Sequence, residues 1–227
     1  MNPAAVDARE DAADDATFLL DRTPLIAIVR FASGGALGDV VAALAAGGID
    51  LIEITIDTPG ALAAVEQAAG AGHTIGVGTV VSAEQVRASA LAGASFVVSP
   101  GLVAEVVQEA GACGIVPIPG VFTATEVLTA LSLGASLLKL FPAGPEGSRH
   151  LGALRGPFSR TAFIPTGGIE IADIRSYLEA GAAAVGLGSQ LVGRTAPTTA
   201  EGFAELTAQA ALVTRIAGEH AAARPRE

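Results

Sequence analysis

The chain contains one lysine, Lys139, and it lies inside the apolar run Leu137-Leu138-Lys139-Leu140-Phe141-Pro142. All the other basic side chains except histidine are arginines. An amine differs from a guanidinium in being able to shed its proton. Burial disfavours the ammonium form, and a depression of roughly three units, within the range of buried lysines, brings an ordinary lysine near neutrality. Such an amine attacks carbonyls and forms Schiff bases. The competing reading is a lysine that packs its stem on apolar neighbours and reaches water at a strand end.

A second segment supplies a partner. In Leu51-Ile52-Glu53-Ile54-Thr55-Ile56-Asp57 the isoleucines share one face of an extended chain, with Leu51, Glu53, Thr55 and Asp57 on the other. If the isoleucines pack under helices, Glu53 and Thr55 point into the interior. The same alternation puts Leu137, Lys139 and Phe141 on one face. A carboxylate and an amine then meet inside the fold, either as reactive groups or as a buried salt bridge of little net stability.

Short apolar runs at Leu25–Arg30, Leu51–Ile56, Thr74–Thr79, Ser95–Pro100, Ile115–Pro119, Leu137–Phe141, Phe163–Thr166 and Ala183–Gly188 could position these groups. They recur at roughly twenty-two residues, and most follow an alanine-rich helical pattern that ends in glycine. These glycine stops include Gly48, Gly70, Gly93, Gly111, Gly134 and Gly181. Ser82, Thr123 and Thr125 suit helix N-caps, and Pro59 suits the opening of a helix. Run length and β-branched content favour strands over buried helix segments. The alternation predicts the α/β class: a single (β/α)8 TIM barrel with an extra N-terminal helix at Asp15–Leu20 and a closing helix at Thr199–Ala222. Domain boundaries are expected at 1–14 for a mobile acidic tail, 15–222 for the barrel and 223–227 for a C-terminal tail.

Barrel sites form where strands end. The residues there are Arg30, Asp57, Thr79, Pro100, Pro119, Phe141, Thr166-Gly167-Gly168 and Gly188-Ser189. The last two groups close the seventh and eighth runs, where backbone N–H groups commonly hold phosphate. Arg30 suits bidentate contact with an anion, or else is a solvated rim charge. His73, His150 and His220 show no metal-ligand spacing.

A formal charge of −10 argues against nucleic acid or an anionic membrane as partner. The single cysteine, Cys113, precludes an intrachain disulfide, reads as a small buried residue, and suits a reducing, cytoplasmic setting. Met1 to Asp15 lacks the basic and apolar regions of a signal peptide.

The segments Pro24-Leu25-Ile26-Ala27-Ile28-Val29-Arg30, Ile52-Glu53-Ile54-Thr55, Gly76-Val77-Gly78-Thr79-Val80, Leu138 to Ala143, Pro165-Thr166-Gly167-Gly168-Ile169 and Gly186-Leu187-Gly188-Ser189 together resemble the 2-keto-3-deoxy-6-phosphogluconate aldolases. The resemblance runs in order from about residue 20 to 195, and it extends to the phosphogalactonate aldolases at Pro24–Arg30 and Gly186–Ser189. It implies a homotrimeric, metal-free class I aldolase that needs no cofactor and acts on a small keto acid. By resemblance, Lys139 forms the Schiff base and Glu53 is the acid/base. Thr79 holds the keto-acid carboxylate, while Arg30, Gly167, Gly168 and Ser189 contact the anionic ends. Phe141 and Pro100 wall the pocket.

One position departs from the phosphogluconate pattern. Asp57 stands where that branch usually has an arginine that binds the keto-acid carboxylate, so repulsion of that group is expected. Other readings of the chain are an aldolase for non-phosphorylated 4-hydroxy-2-oxoglutarate, a phosphate-binding isomerase or epimerase, and a ligand-binding barrel without turnover.

Overall fold

The computed structural model describes Leu19, residues 24–144 and residues 147–223. The tail expected over 1–14, the N-terminal helix apart from Leu19, and residues 224–227 lie outside the described residues. Within them, strands and helices alternate: β1 (Leu25–Val29), α1 (Leu37–Ala46), β2 (Leu51–Thr55), α2 (Ala61–Gly70), β3 (Thr74–Gly78), α3 (Ala83–Leu91), β4 (Phe96–Val98) and α4 (Ala104–Ala112). There follow β5 (Val116–Ile118), β6 (Gly120–Val121), α5 (Ala124–Ser132), β7 (Leu137–Leu140), α6 (Gly147–Arg155) and β8 (Ala162–Pro165). The chain closes with α7 (Ile174–Glu179), β9 (Val185–Leu187), α8 (Ser189–Val192) and α9 (Ala200–Ala223). The last helix matches the expected closing helix to within a residue at each end.

Every strand pairing is parallel. One sheet runs β5-β4-β3-β2-β1-β9 and the other β6-β7-β8. Links at both edges join them, including an Ala183 N–H that donates to the Phe163 carbonyl at 2.9 Å. A parallel bridge connects Thr166, just past β8, to Gly186 of β9, and β5 runs into β6 through Pro119.

The expected fifth run, Ile115–Pro119, thus holds β5, and a short strand that was not expected, β6, follows beyond Pro119, for a physical reason. Proline has no N–H to continue a ladder. Pairing with β4 stops at Ile118, the Pro119 carbonyl accepts from the Lys139 N–H at 2.9 Å, and Gly120 pairs with Lys139. Gly120 also lies so close to the Pro100 backbone that a Cβ would overlap it.

Alternation sorts the side chains as expected. Ile52, Ile54, Leu138 and Leu140 join the large cluster beneath the helices, each burial worth about 1.5–3 kcal/mol. Leu51 and Leu137 join a second cluster with Ile26, Phe96, Val98, Ile118 and Ile164, drawn from strands of both sheets, and with Leu19 from before β1.

Some local expectations need correction. Ser82 and Thr123 cap helices, but Thr125 lies inside α5, where its carbonyl accepts from Thr129 Oγ1. α2 runs through Gly70 and α4 through Gly111, so the left-handed glycines after them are Gly72 and Gly114. α2 starts after Gly60, leaving Pro59 one residue outside the cap. Cys113 is half-buried at the end of α4, 3.9 Å from Glu109 Oε1.

Candidate active site

Parallel strands bring their carboxyl ends to one side of a sheet, and here those ends surround a cavity of about 620 Å³. The register explains who faces whom. Glu53 of β2 lies between Ile28 and Gly76 across the sheet, and Lys139 of β7 lies between Gly120 and Ile164. Both side chains reach the same cavity, with relative exposures of 2% for Glu53 and 7% for Lys139.

The Lys139 amine sits 5.1 Å from the centroid of the Phe141 ring, within range of a cation–π contact. Phe141 is itself part-exposed on the cavity wall.

Glu53 is the more unusual group. Its Oε1 is buried with no hydrogen-bond partner among the described residues. Burial pushes its carboxyl above the ordinary value, against the opposing pull of the Lys139 and Arg30 cations.

The remaining predicted site residues also line this cavity: Arg30, Thr79, Pro100, Phe141, Thr166, Gly167, Gly168, Gly188 and Ser189. Thr166 is buried, and the absence of a side chain at Gly186 makes room for it. Gly144 N–H donates to the Gly167 carbonyl at 2.7 Å, so the loop after β7 lies directly on the loop after β8.

Arg30 is less free than its place at a strand end suggests. Its Nε lies 3.5 Å from Asp57 Oδ2 and 3.4 Å from Thr55 Oγ1, and its Nη2 donates to Thr79 Oγ1. Asp57, expected to repel an incoming carboxylate, is thereby an ion-pair partner of the arginine. Thr79 has φ of 62°, the only non-glycine residue at positive φ among those described. A β-branched residue there is strained, a cost tolerated where surrounding structure holds it in place.

Sequence reasoning missed several wall residues. Strand alternation turns Thr55 inward without giving it a place in the site, and Ile28 follows from the same alternation in β1 and could have been assigned. Gln190 and Arg194 lie beyond the last strand, where no period marks them. Among the described residues, no cluster of three or more His, Cys, Asp or Glu side chains could hold a metal ion, and no helix is long and apolar enough to cross a membrane.

A buried amine and a proton-hungry carboxyl at the end of a parallel strand set define a site for carbonyl chemistry. The family model described as KDPG and KHG aldolase matches residues 17–208. A 2-dehydro-3-deoxy-6-phosphogalactonate aldolase of Escherichia coli is 36% identical over 187 residues, spanning 79% of this chain and 91% of the relative. A 2-dehydro-3-deoxy-phosphogluconate aldolase of Treponema pallidum is 35% identical over 163 residues, 70% of this chain and 77% of the relative. Among solved structures, KDPG aldolase from Legionella pneumophila with pyruvate captured as a covalent carbinolamine superposes with a TM-score of 0.77 at 32% identity, covering 86% of this chain and 95% of that one. The chain belongs to the KDPG and KHG aldolase family.

Proposed function

We propose that the protein is a class I aldolase that reversibly cleaves a 2-keto-3-deoxy-6-phospho sugar acid to pyruvate and glyceraldehyde 3-phosphate. It works as a cytoplasmic homotrimer of single (β/α)8 barrels spanning residues 15–222. The parallel links at Thr166–Gly186 and through Pro119 support closure of the barrel. Exposed Leu91 and Leu128 offer apolar surface to a neighbouring copy.

One observation carries the reading: the sole lysine is buried on a strand and shares a cavity with a buried glutamate. In its neutral form, Lys139 Nζ adds to the C2 ketone and gives a carbinolamine; a proton from Glu53 then carries the hydroxyl off as water, leaving an iminium on Lys139 and an ionised Glu53. Glu53 takes the C4 hydroxyl proton as the C3–C4 bond breaks. The bond's electron pair flows into the iminium, leaving an enamine on Lys139 while the aldehyde departs. Return of the proton from Glu53 to C3 restores the iminium, and water hydrolyses it to pyruvate, freeing neutral Lys139 and a proton that returns to Glu53. A raised carboxyl affinity for protons suits a group that must take one near neutral pH and then return it. The iminium cation forms beside the Phe141 ring, whose face favours positive charge.

Thr79 and Arg30 hold the keto-acid carboxylate. Backbone groups at Gly167, Gly168, Gly188 and Ser189 take the phosphate, beside Thr166, and Pro100 and Phe141 form walls.

The test is pyruvate release from synthetic 2-keto-3-deoxy-6-phosphogluconate and from 4-hydroxy-2-oxoglutarate. The proposed enzyme turns over the phosphorylated acid at roughly 1 s⁻¹ or faster. Preference for the second substrate moves the assignment to the hydroxyglutarate type, and no pyruvate from either contradicts aldolase activity.

A further inference from the structure

Three basic side chains line the cavity: Lys139, Arg30 and Arg194. In the reaction proposed above, the first must be neutral to act. The second is engaged by Asp57, Thr55 and Thr79. The third has no hydrogen bond or ion pair among the described residues, although it is exposed and stands on the wall of the cavity.

Its surroundings leave it uncommitted. Arg194 follows Gly193, whose φ of 75° turns the chain after α8. On the same stretch, the Gln190 amide donates to Glu170 Oε1 at 2.7 Å, and the Gln190 carbonyl accepts from Gln209 Nε2 at 3.2 Å. Glu170 thus accepts from a neutral amide, and Arg194 is in none of the ion pairs among the described residues. Gly188 and Ser189, and Gly167 and Gly168 at the end of the neighbouring strand, line the same cavity. Backbone N–H groups there can satisfy phosphate oxygens but bring no net charge.

A phosphate ester is a dianion near neutral pH, and this protein carries a formal charge of −10. The field of the whole molecule opposes such a ligand, so a local cation must supply the attraction. A guanidinium does this with two parallel N–H donors matched to phosphate oxygens. We propose that Arg194 is the specificity-determining residue of this site, pairing with the phosphate ester at the far end of the substrate and separating phosphorylated keto acids from unphosphorylated ones. This assignment rests on the aldolase reading for the substrate's identity, but the anion contact can be measured without turnover.

Calorimetry with glycerol 3-phosphate, a three-carbon phosphate ester, tests it on the full chain. Arg194→Met should weaken binding roughly tenfold relative to the parent protein, and Arg194→Lys should recover part of the loss because it keeps the charge without the fork. Binding to Arg194→Met within about twofold of the parent, or no saturable binding to the parent itself, overturns the assignment. Borohydride trapping with pyruvate, run on the parent protein in parallel, keeps the two ideas apart. A failed trap with Arg194-dependent phosphate binding removes the aldolase and leaves the anion site. A successful trap with Arg194-independent binding does the reverse.

Discussion

Gly78 leaves the space that the Glu53 carboxyl fills: a Cβ at residue 78 would overlap Glu53 Oε1. The two residues lie on neighbouring strands, β3 and β2, and the glycine's backbone is not in the left-handed region, so the requirement is room. Gly78→Ala should therefore displace the carboxyl while leaving Lys139 on its own strand. Cleavage should fall by about 100-fold, the cost of a misplacement near 1 Å, with pyruvate still trapped on Lys139. Steady-state kinetics beside borohydride trapping checks this; cleavage within a few-fold of the parent would show that Glu53 does not depend on that space.

Glu53→Gln removes the proton carrier without changing its shape. Turnover should drop roughly 10²- to 10⁴-fold. Stability should move the other way with pH. Folding raises this carboxyl's pKa, so the native chain keeps a proton that the unfolded chain releases once pH passes about 4.3. The stability this group contributes is full below that value and is lost as pH rises toward the raised folded pKa. Urea unfolding at pH 4 to 7 should show the glutamine variant gaining on its parent across that window, and a constant difference would contradict the raised value.

At the cavity mouth, Asp57 both pairs with Arg30 and places a negative charge beside the proposed carboxylate site. Asp57→Asn should tighten pyruvate binding, and because both side chains are about half-exposed, screening limits the gain to roughly two- to fivefold. The KM for pyruvate in the condensation direction reports it. Weaker binding would mean that Asp57 serves chiefly to orient Arg30.

The start of α5 offers a stability test away from the chemistry. Glu126 Oε2 accepts from the N–H groups of Phe122 and Thr123, both at 2.8 Å, and Thr123 Oγ1 accepts from the Glu126 N–H. Those N–H groups hold the Glu126 carboxyl below its ordinary value. Thr123→Ala should cost about 1 kcal/mol. Glu126→Gln should cost less, and its penalty should fade as pH falls through the lowered folded pKa, where the parent loses the same charge. Chemical denaturation at pH 7 and pH 3 measures both.

Much of this site was legible in sequence because strand alternation has a strict period of two. Leu51 to Asp57 and Leu137 to Phe141 each announce which side chains turn inward, and Glu53 and Lys139 follow without knowledge of distances. Other features depend on register or balance. The Arg30–Asp57 pair needs β1 and β2 aligned with Ile28 opposite Glu53, and neither segment alone reveals it. The direction of the Glu53 shift required burial to be weighed against two cations. The fifth run ends at Pro119, but β6 beyond it is only two residues long, too short for any period to mark. Arg194 and Gln190 sit after the last strand, where neither the helix nor the strand period applies.

Lys139 as an imine-forming nucleophile is the claim on which the chemistry depends, and the chain's lack of any other lysine makes it directly measurable. Incubation with pyruvate and borohydride, followed by peptide mass mapping, should add one reduced pyruvate to the peptide carrying residue 139 and none to Lys139→Met. An unmodified Lys139 peptide under conditions where the protein cleaves its substrate would contradict it.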